Sequence, residues 1–144
     1  MTIRCEIVSQ DRTVFAGDVD IVVLPGAAGE MGILPKHAPV LTTLKYGIIK
    51  VRKGGKEEVF TVAGGIAEVQ PDIITVLADA AENVEEIDVA RADAARVRAE
   101  EALKKAPTDT DAYLAMEAAL RKSNLRLDAA RRYRKNARSP YSEQ

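Results

Sequence analysis

Residues 86–96, EIDVARADAAR, divide this chain into two patterns, and that division limits its possible folds more than any other feature. Before it lie short β-branched runs broken by glycine and proline. After it lies an alanine-rich, charge-studded stretch with helical spacing. An alternation of period two cannot continue through a segment of period 3.6, so the two halves form different kinds of structure. A length of 144 residues suits a small domain with an appendage.

Residues 1–84 have the pattern of a β-sandwich or flattened barrel. TIRCEIVS alternates, and TVFAGDVDIVVLP holds two β-branched runs around Gly17. GIIKVRKGGKEEVFTV is a hairpin turning at Gly54-Gly55, a dipeptide free to take positive φ. AGGIAEVQPDIITVLAD is a second hairpin, turning at Pro71-Asp72. With no Trp and two Phe, the core must be Val, Ile and Leu. Cys5 alternates with Ile3 and Ile7, which predicts a buried strand position. As the single cysteine it forms neither an internal disulfide nor a cysteine-based zinc site.

Residues 85–144 predict an antiparallel helical hairpin, so the fold class is α+β. The first helix spans about Asp88–Lys105 and the second about Asp111–Arg134. APTDTDA breaks them: Pro107 cannot continue a helix, and Thr108 to Asp111 offer N-caps. Ser139-Pro140 is expected to end the ordered chain. The expected shared face is Ala92, Ala95, Ala99 and Ala102 against Ala112, Ala115, Ala119 and Ala130. Alanine favours helix but buries little area. This suits an element that docks in one state and leaves in another, although a static hairpin fits the same composition.

Charge and motifs exclude several classes. No apolar run approaches the roughly 20 residues of a membrane span, and MTIRCEIV is not a secretory signal. Residues 1–120 hold 13 Lys/Arg against 20 Asp/Glu, a net of −7, whereas residues 121–138 hold eight Lys/Arg against Asp128, a net of +7. That split points to an acidic partner for the C-terminal end. No phosphate loop, nucleophile elbow or metal-ligand spacing is present, so the chain is expected to be no enzyme and to hold no metal. A nucleic-acid role for the basic helix is disfavoured by its few aromatics, Tyr133 and Tyr141, and by the acidic first half. GEMGILPKHAP, residues 29–39, is dense in turn formers. It is either a connecting loop or a rigid contact surface carrying Glu30 and His37.

Asp88 is suited to cap the first helix. Arg91 stands where a capping box would have Glu or Gln, so the cap does not explain it. Asp88, Arg91, Ala95, Arg98 and Ala102 share one face, as do Ala115, Ala119, Lys122, Arg126 and Ala130. If the faces meet, three arginines and a lysine converge against one carboxylate, which favours a bound anion. Otherwise the charges point to solvent.

GEMGILPKHAP, GGIAEVQPD followed by TVLAD, and IDVARA at 87–92 occur in the order and at the separations found in the epsilon subunits of F-type ATP synthases. The chain resembles that family along essentially its whole length. The resemblance implies a ten-stranded β-sandwich that binds the gamma subunit and the c ring (residues 1–84). It also implies a regulatory helical hairpin near the beta subunits (residues 85–144). A bacterial-type member would be peripheral at the cytoplasmic face of the plasma membrane, attached only through the complex, with no required cofactor and no nucleic acid. IDVARA resembles the family's nucleotide signature, implying Ile87, Asp88, Arg91 and Ala92 as ligands of a regulatory ATP. By position Glu82, Arg98, Lys122 and Arg126 join them, and Lys122 departs from the arginine of strong ATP binders. Glu30 and His37 match positions near the c ring.

The resemblance further implies a compact hairpin favoured by ATP. In an extended hairpin, the basic residues Arg121, Arg131, Arg132 and Arg134 would approach an acidic surface of beta and block ATP hydrolysis. The alternative is a structural coupling subunit without nucleotide sensing.

Overall fold

Apolar alternation sets the first strand. β1 (Ile3–Val8) buries Ile3, Cys5 and Ile7 and turns Arg4 outward. The structure, a computed structural model, describes residues 1–134. Lys135 and Arg138 of the basic stretch and the Ser139-Pro140 stop lie outside the described residues. Seven more strands follow: β2 (Thr13–Val19), β3 (Ile21–Gly26), β4 (Gly29–Ile33), β5 (Val40–Lys53), β6 (Lys56–Val69), β7 (Ile73–Ala78) and β8 (Ala81–Asn83). A 3-10 turn (Val84–Glu86), helix α1 (Val89–Lys105) and helix α2 (Asp111–Tyr133) complete the described chain. It divides into two units, Met1–Asn83 and Val84 onward.

The strands form a β-sandwich whose hydrogen-bonded order is β2-β1-β7-β6-β5-β3-β4, with β8 on β6. All pairings are antiparallel except β1 with β7. The β5–β6 hairpin turns at Gly54-Gly55, with φ of 58° and 80°. Two positive φ values twist the turn to match the strands. The β6–β7 hairpin turns at Pro71-Asp72, closed by the Gln70 N–H donating to the Ile73 carbonyl at 2.9 Å.

The sheet bends at Gly64-Gly65. One arm of β6 pairs with β7 and the other with β8. At the corner the Asp79 N–H donates to the Gly64 carbonyl (3.0 Å) and the Ala63 N–H to the Ala80 carbonyl (2.8 Å). Both glycines have positive φ, and a Cβ on Gly65 would stand 2.4 Å from the Leu77 oxygen. Only glycine combines that backbone with so close an approach. The core inside the sandwich is aliphatic, centred on Ile3, Ile7, Val22, Leu24, Ile49, Val62, Ile74 and Val76. Phe60 adds the one large ring, tilted against Phe15 at 5.6 Å.

Three expectations change. Gly17 is not the break between two runs: it pairs with Cys5 inside β2, and the chain turns at Asp20. Residues 29–33 are not loop but strand β4, paired with β3 from Val22–Ile33 to Gly26–Gly29. The described residues hold eight strands rather than ten, because β5 and β6 each run 14 residues without interruption.

In the second unit, Asp88 caps α1 and Thr110 caps α2. The Thr110 hydroxyl accepts from the Tyr113 N–H (3.1 Å) and donates to the Pro107 carbonyl (2.7 Å). The helices pack through small side chains: Ala92 and Ala99 on α1, and Ser123, Ala129 and Ala130 on α2 are buried. Half-buried Met116, Leu120 and Leu127 extend the α2 face. Ala112 and Ala115, expected on that face, are exposed. The larger apolar residues set the phase of the helix, because they gain more from burial than alanine does.

Candidate functional site

The first turn of α1 is organised by Asp88. Its backbone is extended (φ −82°, ψ 99°), its carboxylate accepts from the Arg91 N–H at 3.0 Å, and its carbonyl accepts from the Ala92 N–H at 3.0 Å. The cap uses only the backbone of Arg91, so the guanidinium is left for another partner.

The position of the other cations follows from the seam. Arg91 and Arg98 each directly precede a buried alanine, Ala92 and Ala99, and Lys122 directly precedes buried Ser123. In an antiparallel pair, residues one step before the buried line of each helix lie on the same flank. Arg91 and Arg98 are seven residues apart on α1, a separation of about 10 Å along the helix. Arg126 is half-buried on α2.

Several cations of the hairpin are held by neighbouring groups. Arg96 is held by Asp93 (2.9 Å) and Glu100 (2.9 Å), and these hydrogen bonds, Asp93 first, raise its pKa above the ordinary arginine value. Arg131 and Arg132 share Asp128, at 2.6 and 3.3 Å. Arg134 donates to two carbonyls, and Arg121 and Arg126 also have partners. The side chains of Arg91, Arg98 and Lys122 are exposed and have no ion pair among the described residues. Three unneutralised cations on one flank form a surface suited to a polyanion, with two planar forks for bidentate contact.

The remaining positions are more dispersed. Ile87 and Ala92 are buried. Glu82 lies in the first unit, on β8 opposite Thr61. Glu30 is exposed on β4, opposite Pro25. His37 sits in a tight turn: its Nδ1–H donates to the Ala38 carbonyl (2.7 Å) and its backbone N–H to the Leu34 carbonyl (3.2 Å). Lys36, at φ 67°, ties this turn to the β6–β7 turn through its N–H and the Pro71 carbonyl (2.8 Å). Ser123 and the double contact of Arg134 were not anticipated. Only the seven-residue spacing of Met116, Ser123 and Ala130 signalled the first.

No group of metal-binding side chains occurs among the described residues, and no described helix is long and apolar enough to cross a membrane. What the fold and site define is a small sandwich module carrying a helical arm with an exposed cationic flank. The chain belongs to the ATP synthase delta/epsilon chain family. The beta-sandwich domain of that family matches residues 2–84 and its long alpha-helix domain matches residues 85–131. It is similar to the ATP synthase epsilon chain of Desulforamulus reducens, 47% identical over 90% of this chain and 97% of the relative. It is also similar to the epsilon chain of Pelotomaculum thermopropionicum, 54% identical over 72% and 78% of the respective chains. Among solved structures, a chain of the Euglena gracilis mitochondrial ATP synthase superposes with TM-score 0.73 at 26% identity, covering 90% of this chain and 81% of that one. A chain of the Tetrahymena thermophila enzyme shares the fold, with TM-score 0.57 at 14% identity.

Proposed function

We propose that this chain is a non-catalytic epsilon subunit of the central stalk, with its sandwich on the gamma subunit and c ring and its hairpin acting as a brake on ATP hydrolysis. The reading is supported by family membership and by similarity to a chain of an assembly containing the F1 sector and c ring. The site observation behind it is the unneutralised flank of Arg91, Arg98 and Lys122 beside a seam of small residues. ATP held by Ile87, Asp88, Arg91, Ala92, Arg98, Lys122 and Arg126 would favour the closed hairpin. Such a ligand acts only through its differential affinity for closed and open states.

On opening, α2 would present its basic residues to an acidic surface of beta, an attraction weakened by salt. A chain truncated after Glu85 and assembled into the complex should hydrolyse ATP faster than the full-length form. Equal hydrolysis rates would rule out the brake. The second reading, structural coupling without nucleotide sensing, is favoured by one observation: Asp88 is fully accounted for as a helix cap.

A further inference from the structure

Arg134 joins the two ends of the hairpin. It is the C-cap of α2, where its N–H donates to the Ala130 carbonyl at 3.3 Å. Its guanidinium Nη2 donates to the Glu85 carbonyl at 3.2 Å and to the Ile87 carbonyl. Neither carbonyl has a place in the α1 ladder, whose first bond runs from the Ala92 N–H to the Asp88 carbonyl. Glu85 and Ile87 lie on the connector immediately before the cap. A planar cationic fork is the side chain best suited to hold two neighbouring carbonyls at once.

We infer that Arg134 is a positioning residue: it latches α2 to the connector, fixes the Ile87–Asp88 peptide, and thereby holds both the Asp88 cap and the adjoining ligand flank in register. The latch can exist only while the helices are antiparallel neighbours. When α2 swings away, both contacts break and the guanidinium is released into the basic surface of the helix. One side chain therefore serves the closed state through carbonyls and the open state through its charge. The ligand part of this inference and the open-state role of the charge rest on the proposed function; the latch does not. A polyanion that binds only the closed form has its apparent affinity reduced by the fraction of chains that are open. Loss of the latch should thus weaken binding without removing any ligand-contacting group.

The test uses the full-length protein with Arg134→Gln and Arg134→Lys. Glutamine removes the charge and the fork; lysine keeps the charge but offers no planar fork. Amide hydrogen exchange would be followed at Arg91 and Ala92, whose N–H groups bond to Asp88, and at Tyr113, whose N–H bonds to Thr110 at the far end of α2. Arg134→Gln should speed exchange at Arg91 and Ala92 by about tenfold or more while Tyr113 stays unchanged, with Arg134→Lys intermediate. Unchanged exchange at Arg91 and Ala92, or equal acceleration at Tyr113, would overturn the latch. Titration with ATP separates the two readings. Weaker apparent binding by Arg134→Gln supports the ligand arm and unchanged binding contradicts it. If wild type shows no binding while exchange still responds to Arg134→Gln, the nucleotide reading falls and the latch stands.

Discussion

The Asp88 carboxylate and the Arg91 backbone N–H meet at 3.0 Å, which separates two roles within one turn of helix. Asp88 stabilises the helix start, whereas the Arg91 side chain adds nothing to that bond. Asp88→Ala should therefore destabilise the hairpin by about 1 kcal/mol, the usual loss of an N-cap. Arg91→Ala should change its stability by less than about 0.5 kcal/mol. Chemical denaturation followed by helical circular dichroism would check both. An equal loss in the two variants would show that the guanidinium has a structural task.

Gly65 offers a sharper test of the sandwich. Its φ is 135°, and an added Cβ would meet Leu77 and Ala78 backbone at 2.4 and 2.8 Å. Gly65→Ala should cost more than about 2 kcal/mol. Gly54→Ala, at φ 58° with nothing within 4 Å, should cost only about 1 kcal/mol. Urea midpoints of the two variants give the comparison directly.

Cys5 makes the stability of the sandwich pH-dependent in the alkaline range. Burial, aided by the neighbouring Glu6 charge, pushes its thiol from the ordinary 9.0 up to about 12. The folded state therefore prefers the neutral thiol more strongly than the unfolded state does. The resulting stabilisation is fully present below pH 9.0 and is lost as pH rises towards about 12. Urea denaturation at several alkaline pH values should show this decline in wild type and a shallower one in Cys5→Ala. Rapid labelling of the native thiol by an aqueous reagent at neutral pH would contradict the burial.

Much of the fold was legible in local pattern. The Gly54-Gly55 and Pro71-Asp72 turns, the alternation around Cys5 and the cap at Asp88 are decided by nearby residues, and each appears where the sequence placed it. Strand β4 was hidden because GEMGI is rich in glycine and turn formers, and pairing with β3 outweighs that preference. The face of α2 was misjudged for a related reason. Alanine occurs at several helical phases, so Ala112 and Ala115 looked as suitable as Ala130 until Met116, Leu120 and Leu127 fixed the phase. In the candidate site, spacing put Arg91 and Arg98 on one face of α1, but the α2 face expected to carry Lys122 included Ala115, which is exposed. Arg96, Arg131 and Arg132 are committed to nearby carboxylates, and the Arg134 contact joins residues too distant in sequence for any local pattern to reveal.

The central claim is that this flank recognises a nucleotide and stabilises the closed hairpin. Calorimetric titration of the isolated full-length chain with ATP tests it most directly, with Asp88→Ala/Arg91→Ala as the control. The account predicts saturable binding by wild type, a matching rise in thermal stability, and loss of both in the double variant. No heat and no thermal shift at millimolar ATP would contradict it and leave the hairpin a structural arm.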